Sequence, residues 1–454
     1  MDQADHLFQA PTLTAKPMAS LKGWLAEKGR KHGEAIVYRA AGLLMTLATA
    51  VGAQRTGKTT LTIRKYYLRH FWAPEEATEW LDIAVAAIIC PIALLVVALW
   101  VTWRNGGLIA RREGKSASRQ FFEQIWLALT RGILPPWYYV FELHRADRWG
   151  GADNLLTRAE TKEGAYRILA RRRASRSPLG DKVAFERHCR VHQLPTIAVL
   201  AIACDGAIDF IADDLRTPPS GDLFIKPVRG SGGSGTERWN RLGPLFLGSG
   251  GRSCDWQGLL RHLAERSRKR PMMLQPRMVN DTALSGLNNG ALSTVRVLTC
   301  LDEQEQPEVI GAVLRMAIGS NEVVDNLHAG GVAAAVDLAT GRLACATNLG
   351  MDVRLGRTAT HPTTGHPISG FELPHWPDVL ALACRAHHAF ADHALVGWDI
   401  ALIEGGLCLV EGNSGPDLDI MQRVAMRPIG CERLGELLAF HLRNGETVQP
   451  HTAL

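Results

Sequence analysis

The residues Gly397-Trp-Asp399-Ile-Ala-Leu-Ile403, Glu404-Gly405-Gly406 and Leu407-Cys-Leu-Val-Glu411-Gly-Asn413 read as two apolar strands joined by a three-residue, glycine-containing turn. Centring the turn on Gly405 sets Asp399 opposite Glu411. Strand alternation then puts Asp399, Glu411 and Asn413 on one face. Two carboxylates and an amide carbonyl converging there are hard oxygen donors suited to Mg²⁺. Like charges facing each other across buried strands destabilise a sheet unless a cation or a proton neutralises them. The alternative is a pair of strand-end carboxylates splayed into solvent.

Upstream, Asp222-Leu-Phe-Ile-Lys226 reads as a strand ending in a lysine, followed at once by Pro227-Val-Arg229-Gly230-Ser231-Gly232-Gly233-Ser234-Gly235. A loop without bulky side chains lets backbone N–H groups close around phosphate oxygens, while Lys226 and Arg229 supply positive charge. Between loop and hairpin lie two further strand-like segments, Met273-Leu-Gln275-Pro-Arg277 and Leu292-Ser-Thr-Val-Arg296-Val-Leu-Thr299. An arginine buried in the second needs a carboxylate or phosphate partner. Asp325-Asn326-Leu-His328-Ala-Gly-Gly331 is a polar, glycine-ended loop that a substrate can approach closely.

The ordered set resembles an ATP-grasp enzyme, and most of all the sugar-transfer-associated ATP-grasp family, described as related to alpha-L-glutamate ligases. The matching stretches are Gly180-Asp-Lys182, Phe224-Ile-Lys-Pro227 with its glycines, Leu274-Gln-Pro276, Thr294-Val-Arg296, Val324 to Gly331, Val396-Gly-Trp-Asp399 and Val410-Glu-Gly-Asn413. The resemblance implies an α+β ATP-grasp fold, in which two α+β subdomains clasp ATP. It implies that Lys182 and Lys226 hold ATP phosphates and that Gly230, Ser231, Gly232, Gly233 and Ser234, with Arg229 beside them, close over them. Gln275, where many such hinges carry a Glu, would meet adenine. Arg296 would contact the terminal phosphate or the activated acid, and Asn326 would lie near the reacting end. Asp399, Glu411 and Asn413 would bind Mg²⁺.

The chain has 454 residues, 46% hydrophobic and 21% charged, which excludes a disordered or coiled-coil protein and predicts about two or three domains. Nine scattered cysteines with no CxxC pair argue against a disulfide framework or zinc ribbon. His387, His388 and His393 lack metalloprotease spacing. Residues 1–200 hold 29 Lys and Arg against 17 Asp and Glu, and the remainder 22 against 28. A basic first part and an acidic second part suggest one segment at an anionic surface and a separate globular domain. The Arg171-Arg-Arg173, Arg176 run has no interleaved aromatics and predicts a solvated or membrane-proximal face, with no nucleic-acid partner.

Residues 83–103 are 21 consecutive residues without a charge, about 30 Å of helix, the thickness of a bilayer core. Trp80, Trp100 and Trp103 stand near its ends, and Pro91 would kink it. Glu75, Glu76, Glu79 and Asp82 precede it, whereas Arg104, Arg111, Arg112, Lys115 and Arg119 follow, so the C-terminal part is expected in the cytoplasm. Residues 40–53 predict an interfacial helix rather than a second span, and the first 35 residues show no signal-peptide core. Gly52 to Thr59 matches the phosphate-loop pattern GxxxxGK[ST], but only 23 residues separate it from the apolar segment, too few for the βα units that motif needs.

The expected organisation is a basic N-terminal region (1–79), a transmembrane helix (80–104), a helical connection (105–180), a first ATP-grasp subdomain (181–274), a second carrying the metal site (275–430) and a C-terminal helix and tail (431–454). The resemblance and the apolar segment together predict an inner-membrane-anchored enzyme that uses ATP and Mg²⁺ to join a carboxylic acid to an amine through an acyl phosphate. Its substrates would be small or lipid-linked, in surface-polysaccharide or sugar-precursor modification. A small-molecule kinase and a non-catalytic nucleotide-binding scaffold are the alternatives.

Overall fold

The computed structural model describes residues 21–52, 56–172, 177–211, 217–230, 235–248, 251–319, 325 and 327–444. An N-terminal helical layer comprises α1 (Leu21–Gly52), α2 (Lys58–Phe71), α3 (Ala77–Glu113), α4 (Ala117–Arg131), and the short α5 (Pro135–Val140) and α6 (Ala146–Trp149). A π-helical turn, Ala159–Ala165, leads into α7 (Tyr166–Arg172). Helix α3 buries Ile83, Ala86, Leu94, Ala98, Val101 and Ile109 at helical spacing. It ends where Gly114, at φ 69°, returns its N–H to the Ala110 carbonyl. Ser116 caps α4 by accepting from Arg119 N at 3.3 Å, and Gln124 Nε2 ties α4 to Thr102 Oγ1 of α3 at 2.7 Å.

Helix α8 (Lys182–Val191) opens the first α+β unit, capped by the Asp181 carboxylate, which accepts from Val183 N and Ala184 N at 3.1 Å. The first sheet contains β1 (Ala201–Cys204), β2 (Ala207–Phe210), β3 (Leu223–Pro227), β4 (Glu237–Leu242), β5 (Leu245–Gly248), β6 (Ser253–Cys254) and, after α9 (Trp256–Ser267), β7 (Met272–Pro276). Its order is β2-β1-β7-β3-β4-β5-β6, and Leu259 and Leu263 of α9 fill its core with Leu223, Ile225 and Leu274.

The second sheet contains β8 (Thr294–Leu301), β9 (Pro307–Met316), β10 (Val332–Val336), β11 (Leu343–Thr347), β12 (Arg357–Thr358), and, after α10 (Trp376–Ala389), β13 (Leu395–Ile403) and β14 (Gly406–Asn413). Its order is β12-β11-β10-β9-β8-β13-β14. Alternation sends Val295, Val297, Trp398 and Ile400 to one core with α10, and Leu298, Cys300 and Val313 to another with α11 (Leu418–Ala425) and α12 (Arg433–Asn444). The second face is the one that carries Arg296, Arg315 and Asp399.

Several expectations change. The apolar helix runs from 77 to 113 rather than 80 to 104. Residues 40–52 continue a long helix whose 33–51 segment is itself apolar enough to cross a membrane, as is α3. The phosphate-loop-like stretch leaves a helix, α1, instead of the strand that motif requires. The 274/275 division falls inside β7, so Gln275 belongs to the first sheet.

Candidate active site

Asp399 pairs with Glu411 across β13 and β14, as the alternation predicts, but by another route. The turn is tighter than expected, since Ile403 pairs with Gly406 and Gly405 takes φ 86°. A register shift between Asp399 and Ile400, which leaves Val410 unpaired, restores the Asp399–Glu411 pairing. Gly397 keeps the face open, because a Cβ there would lie 2.9 Å from Pro416 Cβ and 3.2 Å from Arg296 Cδ.

Asp399 is 2% exposed and holds two guanidinium groups. Arg296, its cross-strand partner on β8, clasps it with both Nε and Nη2, the latter at 3.0 Å. Arg315 Nη2 of β9 approaches Asp399 Oδ2 at 2.9 Å. Burial alone would push the Asp399 carboxyl up, but Arg296 and Arg315 outweigh it and hold it down to about 2. Arg315 also bonds Thr294 Oγ1 at 2.5 Å and lies 3.5 Å from Asp325 Oδ2. Asp325 in turn accepts from Thr294 N at 2.9 Å, and its burial raises its pKa.

Opposite this cluster stand the lysines. Lys182 Nζ lies 3.7 Å from Glu411 Oε2 and donates to the Gly230 carbonyl at 2.8 Å. Burial pushes the Lys226 ammonium down to about 8, against the attraction of Glu411. Asn413 Nδ2 lies 3.4 Å from Glu411 Oε1 and from the Gly397 carbonyl. Cationic groups of the first unit therefore face carboxylates of the second.

Other expected site residues fall elsewhere. Arg229 is spent on Asp181 Oδ2 at 3.1 Å, with an exposed side chain. Gln275 is buried and donates Nε2 to the Ile197 carbonyl at 3.0 Å. Ser231, Gly232, Gly233, Ser234 and Asn326 lie outside the described residues. No group of three or more His, Cys, Asp and Glu suited to a metal occurs among the described residues. Asp399, Glu411 and Asn413, two facing carboxylates and an amide two residues on, are the oxygen donors a divalent cation could use, while both Asp399 oxygens meet the Arg296 and Arg315 guanidinium groups.

Sequence reasoning missed Arg315, its approach to Asp325 of the polar loop, and a second charged cluster beyond Asn413. There Asp417 meets Lys162 Nζ at 2.7 Å, Arg158 Nη2 at 3.6 Å and His328 Nε2 at 3.5 Å, and Arg158 reaches Asp419 Oδ2 at 2.8 Å. Burial would raise the Asp417 carboxyl, but His328, Lys162 and Arg158 hold it below its ordinary value. The one available signal was an arginine inside the apolar run Val313-Leu-Arg315-Met316.

The sequence matches the family described as sugar-transfer associated ATP-grasp over residues 164–429. No curated protein matches it. Similar solved structures include D-alanyl-alanine synthetase A from Vibrio cholerae (11% identity, 59% of this chain and 66% of that one, TM-score 0.35). The D-alanine–D-alanine ligase from Bacillus anthracis complexed with ATP is also similar (11% identity, 59% and 68%, TM-score 0.35). So is the L-amino acid ligase from Bacillus licheniformis (12% identity, 60% and 51%, TM-score 0.34). The chain spans about two thirds or less of the length of these structures. With the matched family covering more than half its residues, the chain belongs to the sugar-transfer-associated ATP-grasp family.

Proposed function

We propose that this protein is a membrane-attached, ATP- and Mg²⁺-dependent carboxylate–amine ligase. The observation that carries the reading is the convergence of Lys182 and Lys226 from the first unit on Glu411 and its partner Asp399 from the second. Phosphate-holding cations on one side and metal-binding carboxylates on the other suit a nucleoside triphosphate held between the sheets. Mg²⁺ on Asp399, Glu411 and Asn413 would supply charge neutralisation at the β- and γ-phosphates. Arg296 and Arg315, which pair with Asp399, would contact a phosphoryl oxygen or the acid. Gln275 would support the adenine side through its strand's backbone, since its amide is committed to Ile197.

A carboxylate resists amines because its oxygen is a poor leaving group. Transfer of the γ-phosphoryl group to the acid gives an acyl phosphate, an amine attacks its carbonyl carbon, and phosphate leaves as the amide forms. The glycine-rich loop, with Ser231, Gly232, Gly233 and Ser234, would exclude water from that intermediate, and Asn326 would lie at the reacting end. A cavity of about 300 Å³ between α1 and Arg158, lined by Val37, Tyr38, Leu134 and Trp137, supports a lipid-linked acid or amine, because Arg158 joins it to Asp417 and Asp419 at the start of α11, shortly after Asn413. The apolar helices and the basic flank of α3 support attachment to the cytoplasmic membrane with the catalytic unit in the cytoplasm.

ADP release by the full chain in detergent, across a panel of acids with and without amines, tests the reading. Release that requires both partners and disappears in Asp399→Asn/Glu411→Gln supports it. Release with an alcohol or acid alone, giving a stable phosphorylated product, makes the protein a kinase. Undiminished turnover in the double variant removes the metal assignment.

A further inference from the structure

Helix α3, apolar enough to cross a membrane, is fastened at both ends to one body. Near its start Ile83 packs with Tyr67 and Ala159, and Glu75 just upstream pairs with Arg171 at 2.5 Å. Toward its end Asn105 Oδ1 accepts from Val353 N at 3.3 Å, Arg104 meets Asp352 at 3.2 Å, and Arg112 Nη1 donates to the Val353 carbonyl at 2.7 Å. The distance from Ile83 to Asn105 is about 33 Å at 1.5 Å per residue, as long as a hydrocarbon core is thick. Threading that length through a bilayer would carry one attachment point of the catalytic body to the far side while the other stayed behind. Between the two ends, Ala86, Leu94 and Ala98 are buried against the protein.

The exposed side of α3 is broad and apolar, with Ile89, Val96 and Trp100, 46, 57 and 52% exposed, flanking a central row. Ile88, Ile92, Leu95, Leu99 and Trp103 follow at three- and four-residue steps and are 77, 69, 48, 58 and 82% exposed. Among the described residues the five exposed tryptophans, Trp72, Trp80, Trp100, Trp103 and Trp126, all belong to this layer. Indole rings favour the headgroup level, and a contiguous patch of this kind marks an interaction surface. The chemistry of the rim selects the occupant: of Arg104, Arg111, Arg112, Lys115 and Arg119, which follow the stripe, Arg104 pairs with Asp352 and both Lys115 and Arg119 with Glu123, so five cations meet two paired acids and Glu113 and the rim stays net positive. Arg104 also lies 5.8 Å from the Trp100 ring centroid. Basic and indole groups bordering an apolar stripe complement an anionic lipid surface.

We infer that α3 lies in the plane of one leaflet, its Ile88-to-Trp103 stripe in the acyl boundary, with both helix ends and the whole catalytic body on the same side. This arrangement rests on the membrane attachment proposed above and is independent of the ligase chemistry.

The test uses the full chain with Cys204→Ser and Cys431→Ser, which remove the two exposed thiols. Glu76→Cys or Glu113→Cys is then added, and each protein is produced in cells from which membrane vesicles of defined orientation are made. A membrane-impermeant maleimide should label both positions from the cytoplasmic face and neither from the other. Labelling from opposite faces means that α3 crosses, and overturns the inference while leaving attachment intact. In a second arm, Ile92→Asp/Leu99→Asp should lower the membrane-bound fraction about tenfold with acid-dependent ADP release retained. A variant that stays membrane-bound, or a parent that is soluble and dimeric and becomes monomeric on this change, overturns it as well. Loss of ADP release with unchanged labelling would count against the ligase reading alone.

Discussion

Asp399 carries its charge where water scarcely reaches because Arg296 and Arg315 both touch it. Removing one partner leaves charge uncompensated in a buried cluster, and Arg315 also neutralises Asp325. Arg315→Met is therefore expected to cost about 3 kcal/mol in a urea titration; an unchanged midpoint would mean that Arg296 suffices. Lys226 makes a prediction about pH. Its ammonium is pushed down to about 8 from 10.5, so the unfolded chain holds that proton more tightly than the folded one. The penalty is fully present below about pH 8 and is relieved as pH rises toward 10.5, so this group makes stability increase through that window. Nucleotide binding should run the other way, since phosphate needs the ammonium. Calorimetric titration should show ATP affinity falling by up to about tenfold per pH unit above pH 8, with a flat profile in Lys226→Met. Parallel profiles would take Lys226 away from the phosphates.

Elements decide which local patterns carry meaning. The hairpin was legible because strand alternation is a local property: Asp399 and Glu411 needed only each other's spacing, and the bulge at Val410 absorbs the shorter turn. Arg315 and its meeting with Asp325 were not legible, because the register Thr294–Arg315 between β8 and β9 is set by long-range pairing. The family resemblance ordered the two sheets but was silent on the helical layer. The GxxxxGK[ST] match fails at this scale, since it sits at a corner between helices. Gly57 N bonds Asn154 Oδ1 at 2.8 Å, Thr60 Oγ1 reaches the same atom at 3.2 Å, and Thr59 Oγ1 bonds the Gly430 carbonyl at 2.6 Å. Lys58, exposed at the start of α2, should be replaceable by alanine with no change in ATP affinity. Asn154→Ala should instead cost about 1–2 kcal/mol of stability by leaving two donors unmet. An ATP-binding defect in Lys58→Ala, measured by the same calorimetry, would reinstate a phosphate loop.

At the scale of the whole molecule, the helical layer is built into the catalytic unit. Ile63 of α2 shares a core with Leu156, Leu169, Leu437 and Leu438. Arg64, 5% exposed, donates Nε at 2.8 Å to Glu160, which is 0% exposed. On the far side Arg423 of α11 bonds the Val140 carbonyl at 2.6 Å and the Asn348 carbonyl at 2.7 Å, its burial lowering it to about 10. These ties hold the apolar helices in a fixed relation to Asp399 and Glu411, which a flexible tether would not. Deleting residues 1–74 would strip the cover from the Leu437 side and leave the Glu160 carboxylate buried without its guanidinium. The expected result is loss of the cooperative thermal transition, or aggregation on purification, and Arg64→Met alone should cost about 3–5 kcal/mol. A truncated chain that unfolds at the parent's midpoint would show instead that the first two helices are an appendage, and α3 would then be free to adopt its own relation to a membrane.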